Sequence, residues 1–276
     1  MCSGCIDEPV SESAGEMTAL KKFWHLARSL GGGVVSRKVA EHWPLPVCVR
    51  IQGGRQMYVD LRSTIGRGLF VSGTFDIEAI RPAMEALREG GTFIDVGANV
   101  GFYSVLALDR ISASGKVYSF EIDPRPLRCL RKTIADFGYS NIHVVESAVS
   151  DIDGTLSYEP NAEHGHNHID RSATSGRKVP SVKLDTWAAQ TALTGVDAIK
   201  IDIEGAEKFV IEGARETIRR FKPLLLCECD EKTAAVFGYT PRDLIEQLEG
   251  LEYTTSWLDG VFTPTILAKP RRTCLN

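Results

Sequence analysis

The stretch "FIDVGANVGFYS", residues 93–104, constrains the fold more than any other part of the chain. It passes from a β-branched apolar run into a glycine-punctuated turn and then into helix-forming sequence. That is how a parallel strand hands over to its crossover helix. Turns of this kind, at a strand's carboxyl end, hold nucleotide-shaped or anionic ligands. The glycines are Gly97 and Gly101 with Asn99 between them, and Asp95 stands two positions before the first. This is not the G-x-G-x-x-G of a dinucleotide site.

From residue 92 onward strand and helix signals alternate. Strands are predicted at 92–96, 116–121, 142–146, 196–203 and 223–229, and helices at 101–110, 125–137, 207–221 and 241–249. Such alternation means βαβ units and a parallel sheet, hence an α/β fold. The last strands depart from it: "LEYTTSWLDGVFTPTILAKP" reads as an antiparallel hairpin turning at Asp259-Gly260. Between 154 and 184, "GTLSYEP" and "KVPSVKL" read as strands around the polar stretch "NAEHGHNHIDRSATSGR". This is expected to be a substrate-side excursion above the sheet, with Pro180 suiting an edge strand.

Upstream, "PVCVRIQ" and "QMYVDLR" flank Gly53 and Gly54 as a β-hairpin, and a helix is predicted over 76–88. The organisation expected is an extension over 1–45, the hairpin and helix over 46–90, a catalytic domain over 91–270 and a tail over 271–276. In the extension, Met17, Leu20, Trp24, Ala27 and Leu30 form one helical stripe within 16–30. It reads as an amphipathic helix packed on the main domain or on a second copy, as in a homodimer; a membrane-surface helix is the alternative. The formal net charge of −4 lacks the basic footprint of a nucleic-acid binder. No apolar run approaches the roughly 20 residues of a membrane span, and "MCSGCIDEPVSESAGEM" lacks a signal's apolar core. A cytosolic protein is expected, with its seven cysteines reduced and Cys227 and Cys229 acting as small buried hydrophobes.

Glu121 ends the second predicted strand, twenty residues after Gly101. A carboxylate there can accept hydrogen bonds from both hydroxyls of an adenosine ribose, in NAD and S-adenosylmethionine alike. Asp95 separates the two cofactors. A pyrophosphate about 5 Å from it would be repelled by roughly 3 kcal/mol per charge pair at an effective dielectric near 20. The sulfonium and ammonium of S-adenosyl-L-methionine would be attracted. The expected cofactor site is therefore Asp95, Gly97, Asn99, Gly101, Glu121 and Asp202, with Gly97 letting the backbone approach the ligand. An NAD(P)-dependent oxidoreductase and a non-catalytic S-adenosylmethionine-binding module are the alternatives.

"FIDVGANVGFYSVLA", "VYSFEIDP", "DAIKIDIEGAEKFVIEGA" and "PLLLCE", in this order, resemble the FkbM-type methyltransferases over about residues 65–230. The resemblance implies a Rossmann-like class I methyltransferase fold with a mostly parallel seven-stranded sheet. It also implies O-methylation of a hydroxyl on a sugar, glycolipid or polyketide-type natural product. "FEIDP" departs from the family's more usual Phe-Glu-Pro, which leaves Glu121 in place, and Thr133 and Asp136 stand where asparagines are common.

"IKIDIEGAE" alternates Ile199, Ile201 and Ile203 with Lys200, Asp202 and Glu204, whereas a central parallel strand is normally apolar on both faces. Methyl transfer needs an acceptor oxygen aligned behind the methyl carbon and a group to take its proton. Asp202 is the first candidate for the base or acceptor orienter, with Glu204 and Glu207 as a polar wall. The other reading of Asp202 is a buried ion pair with Lys200. His164, His166 and His168 in the polar excursion are further base candidates. Neither these histidines nor Asp202 with Glu228 is assigned as a metal site.

Overall fold

In the computed structural model of the chain, the residues described are 46–159, 168–170 and 176–271. The chain divides into two units, Met1–Pro44 and Leu45–Asn276. The helix expected over 16–30, His164 and His166 lie outside the described residues.

The second unit opens with strands β1 (Val47–Arg50) and β2 (Gln56–Val59), the antiparallel hairpin expected around Gly53 and Gly54. Helix α1 (Thr64–Ser72) follows, capped by the Ser63 hydroxyl accepting from Gly66 N, and then α2 (Ile77–Ala86). The sequence reading had α2 but not α1, because Gly66 and Gly68 depress helix propensity there. A Cβ at Gly66 would collide with the Asp60 carbonyl, so tertiary packing sets the residue.

The alternating core then runs β3 (Thr92–Val96), α3 (Phe102–Ile111), β4 (Lys116–Phe120), α4 (Pro124–Phe137) and β5 (Ile142–Val145). Helix α4 starts where Asp123 accepts from Arg125 N, with Pro124 in the first turn, where a missing N–H costs nothing. A side sheet follows: β6 (Ala148–Val149), β7 (Gly154–Glu159), β8 (His168–Asp170) and β9 (Arg177–Val182), in the order β6-β9-β7-β8. Pro180 was expected on an edge strand, but β9 is internal in this order. The short β6 pairs only with Ser181 and Val182, so the residue without an N–H sits just before that ladder begins.

Helix α5 (Leu184–Gln190) leads back to β10 (Ala198–Ile201). The single helix expected over 207–221 is two, α6 (Glu207–Glu212) and α7 (Arg215–Phe221). The break falls at Gly213, which lies directly against the Ser150 carbonyl. The chain ends with β11 (Leu224–Glu228), α8 (Glu231–Val236), α9 (Pro241–Glu249), β12 (Tyr253–Trp257) and β13 (Thr265–Pro270). The closing hairpin is antiparallel as expected, but its connection is the longer segment 258–264 rather than a tight Asp-Gly turn. That loop reaches across to α2, where Phe262 N donates to Asp76 Oδ2 at 3.0 Å.

The main sheet has seven strands in the order β12-β13-β11-β10-β3-β4-β5. All pairs from β11 to β5 are parallel, and β13 is antiparallel to both its neighbours. This is the Rossmann-like α/β architecture expected from the sequence. Ile94, Val96, Phe120, Ile199, Ile201, Leu225 and Cys227 are fully buried at its centre, each large aliphatic side chain contributing about 1.5–3 kcal/mol on burial. Cys229 is buried as well, and burial pushes its thiol up to about 12. The chain leaves β3 toward β4 and β5, then returns to the other side of β3 as β10. The carboxyl ends of β3 and β10 therefore flank the switch point, where open α/β sheets bind ligands.

Candidate active site

A cleft lies at that switch point. Its floor is Val96 to Val100, one end is formed by Glu121, Ile122, Ala148 and Tyr158, and the other by Tyr103, Lys200, Asp202, Glu204 and Glu228. Phe75, Asp76 and Thr263 also line the cleft.

The floor is a turn whose backbone donors are spent internally. Gly97 N and Ala98 N both donate to Phe120 O, at 3.0 and 2.9 Å, and Gly101 N donates to Ala98 O. Asn99 N donates to Glu121 Oε2 and Val100 N to Asn99 Oδ1, each at 2.8 Å. Phosphate sites at such turns are built from free N–H groups; from Gly97 to Gly101 this turn offers none. Gly97 adopts φ +76, and a Cβ there would collide with the Asp202 carbonyl. Its smallness lets the β3 turn pass against the end of β10, and the residue also lines the cleft. Gly101 packs on Leu130 of α4 and does not line the cleft.

Glu121 does line it. Its Oε1 accepts from Ile122 N and Asp123 N, both at 2.7 Å, and its Oε2 accepts from Asn99 N. A carboxylate has about four lone-pair sites; three are used, which leaves room for one ribose hydroxyl rather than two. Thr133 and Asp136 sit away from this end. Thr133 Oγ1 accepts from Tyr58 N on β2 at 2.8 Å, and Asp136 pairs with Lys132 on the α4 surface.

Asp95 was expected beside the cofactor but is completely buried beneath the floor. Ser104 Oγ donates to its Oδ2 at 2.6 Å, and Lys200 Nζ lies 3.7 Å from its Oδ1. The register sets this pairing, since Lys200 is directly opposite Asp95 on parallel β10 and β3. Lys200, 7% exposed, also donates to Gly97 O at 2.9 Å and pairs with Asp202 Oδ2 at 3.0 Å. Burial works against its charge, but Asp202 and Asp95 outweigh it and hold the ammonium above the usual lysine range. The buried ion pair is thus present, and Asp202 also faces the cleft: the two readings of that residue coexist.

Asp202 and Glu228 end neighbouring strands, one residue beyond the paired Ile201 and Cys227. They share a hydrogen bond, and burial followed by the Asp202 charge pushes Glu228 up to about 10. Glu204 follows in the turn after β10, and burial, then Asp202 and Glu207, push it up to about 8. Glu207, expected in the polar wall, is instead 1% exposed behind the turn. Its Oε1 accepts from Ile203 N at 3.1 Å and Gly205 N at 3.0 Å, and its Oε2 from the Tyr239 hydroxyl at 3.0 Å. It has no side in the cleft because the first turn of α6 needs it as a clamp.

The backbone of His168 belongs to β8, at the outer edge of the side sheet. Sequence reasoning missed Phe75, Asp76, Tyr103 and Tyr158 as cleft residues. Tyr103 lay within the quoted motif, and Lys200 Nζ sits 5.5 Å from its ring. The others come from elements whose docking no local pattern records.

Comparison with known proteins bears on this cleft. Residues 95–254, more than half of the chain, match the Methyltransferase FkbM domain. The chain is 25% identical over 187 residues to the 2-O-methyltransferase NoeI of Sinorhizobium fredii, covering 61% of this chain and 75% of that protein. It is 28% identical over 137 residues to a protein-L-isoaspartate O-methyltransferase of Archaeoglobus fulgidus, covering 50% of this chain and 58% of that one. The chain thus spans a little over half the length of the latter. Among solved structures, an FkbM methyltransferase from Methylobacillus flagellatus aligns with a TM-score of 0.44 at 15% identity, over 73% of this chain and 52% of that one. The fold, the switch-point cleft and the domain match lead to one assignment: the chain belongs to the FkbM methyltransferase family.

Proposed function

We propose that the chain transfers the methyl group of S-adenosylmethionine to a hydroxyl of a sugar, glycolipid or polyketide-type acceptor. The observation that carries the cofactor choice is the saturated turn. With every N–H from Gly97 to Gly101 internally bonded, the cleft offers a pyrophosphate no donors there, while Asp202, Glu204 and Glu228 offer acceptors to a cationic methionine end. This replaces the repulsion first expected from Asp95, whose charge Lys200 offsets.

The residues present suit S-adenosylmethionine. Glu121 Oε2 would take one ribose hydroxyl, Ile122, Ala148 and Tyr158 would enclose the base, and Asp202 would hold the amino end or orient the acceptor. When bound, the cofactor supplies an electrophilic methyl on sulfur. The chain's own contribution is to align the acceptor oxygen and hold a proton acceptor at the β10–β11 end. Oxygen as the receiving atom is supported by the names of both relatives. The test is calorimetry with S-adenosylmethionine, S-adenosylhomocysteine and NADH, followed by a screen of hydroxyl-bearing acceptors for S-adenosylhomocysteine release and a gain of 14 mass units. Binding of NADH alone would overturn the reading.

A further inference from the structure

We propose that Phe75 and Phe262, beside the carboxyl groups of Asp76, Asp202 and Glu228, form the acceptor subsite, and that this pairing selects a sugar ring over an apolar polyketide. The proposal deepens the methyl-transfer reading above and rests on it. Two segments far apart in sequence build the subsite: the junction between α1 and α2, and the loop 258–264 between β12 and β13.

Asp76 joins them. Its Oδ2 accepts from Phe262 N at 3.0 Å, across 186 residues, and its carbonyl accepts from the Tyr103 hydroxyl at 3.4 Å. It does so from φ +39, a left-handed conformation that a non-glycine residue keeps only when its surroundings enforce it. Strain of this kind gathers at active sites and ligand clamps. The aromatic pair is fixed at the same joint. The rings of Phe75 and Phe262 meet with centroids 5.8 Å apart, tilted by 59°. Phe75 is seated against Gly68 of α1, where a Cβ would lie 2.9 Å from its ring. Phe262 is 73% exposed, so most of one phenyl ring stays open to a ligand.

The joint belongs to the charged end of the cleft. Asp76 and Thr263 line both the cleft and a small adjoining cavity, and Tyr103, Lys200, Asp202 and Glu228 line the same two spaces. This end therefore combines carboxyl oxygens with phenyl rings. A sugar ring uses both. Hydroxyls around its rim donate to carboxylates, and the C–H bonds on its faces carry partial positive charge that suits the negative face of an aromatic ring. An apolar polyketide surface would also cover the phenyl rings, but it would strip water from the carboxyl groups without replacing those hydrogen bonds.

The experiment offers methyl pyranosides, octyl pyranosides and hydroxylated macrolactones to the protein saturated with S-adenosylhomocysteine. Saturation-transfer NMR should show pyranoside binding, with the strongest transfer at the C–H protons of one ring face. Phe262→Ala should remove that preference and weaken binding about three- to tenfold, whereas Phe262→Tyr should keep both. Affinity for S-adenosylhomocysteine should stay within about threefold of wild type in each variant. With S-adenosylmethionine in its place, Phe262→Ala should raise KM for the pyranoside more than it lowers kcat. Tighter binding of octyl than of methyl pyranosides would support the subsite with a glycolipid as its source, and equal binding would support it with a free sugar. Macrolactones preferred to pyranosides, pyranoside binding indifferent to Phe262→Ala, or no pyranoside bound overturns the proposal. Failure of the methyl-transfer reading would show separately, as NADH binding without S-adenosylhomocysteine binding.

Discussion

The two ends of the cleft are built from different materials. Around Glu121 the wall is mostly main chain: five consecutive N–H groups are satisfied, and the Glu121 carboxylate accepts one N–H from the turn after β3 and two from the residues that follow β4. Around Asp202 the wall is side-chain charge: Lys200 sits among Asp95, Asp202 and Glu228, and Glu204 rides on a strained turn. A backbone-built end can be read from glycine spacing, with Glu121 as its one titratable group. A charge-built end changes with protonation, and its meaning depends on which strands become neighbours.

The sharpest way to break the contrast is Lys200→Met. It leaves Asp95 and Asp202 without their cation, and removing one partner of a buried pair costs about 3–5 kcal/mol. Urea unfolding should show that loss, and the double variant Lys200→Met with Asp95→Asn should recover much of it. Because Lys200 is held above its ordinary value, its contribution is complete below about pH 10.4 and is lost only as pH rises through its folded value. Equal stability of single and double variants would mean that the network is not coupled.

At the other end, Glu121→Ala removes the carboxylate proposed to accept from a ribose hydroxyl, a charge-assisted bond worth about 1.5–3 kcal/mol. Calorimetry should then show S-adenosylmethionine binding weakened by roughly 10–100-fold. An unchanged affinity would take Glu121 out of the site. Gly101→Ala probes the same end without touching the ligand. Its φ of +84 and the contact with Leu130 predict about 1–3 kcal/mol of destabilisation, with cofactor affinity per folded molecule unchanged. A selective loss of affinity would place Gly101 in the binding surface after all.

The smallest effect concerns stability against pH. Glu204 is raised from its ordinary value to about 8. The folded chain therefore holds a proton there that the unfolded chain has released, and the stability gained below the unfolded value is lost as pH rises through 8. Glu204→Gln should flatten that decline, so its melting temperature relative to wild type should rise between pH 5 and 8. A constant difference across that window would mean an ordinary carboxylate.

The alternating core was legible because period and punctuation agree there: each of β3, β4, β5, β10 and β11 falls within its predicted run. Helix α1 was not, since two glycines required by packing against Asp60 and Phe75 disguise it. The split at Gly213 comes from Ser150, a contact across more than sixty residues. At the site, spacing placed Glu121, Gly97 and Asn99 at one sheet edge, and all three line the cleft there. The burial of Asp95 was not, because sequence shows Asp95 and Lys200 but not that β10 settles beside β3 with the two opposite each other. Glu207 was misplaced for a related reason: its periodicity put it near the turn, and only the backbone shows it facing inward to Ile203, Gly205 and Tyr239.

The internally bonded floor also limits how such a chain can change its cofactor over evolutionary time. Of the five N–H groups, those of Gly97, Ala98 and Gly101 are held by main-chain carbonyls, of Phe120 and Ala98. No side-chain substitution can release them. Mutation can free only Asn99 N, through Glu121, and Val100 N, through Asn99 itself. Freeing the first sacrifices the carboxylate that fastens β4 to the turn. A lineage drifting toward phosphate-bearing ligands would have to displace the end of β4 relative to β3, a change of framework rather than of residues.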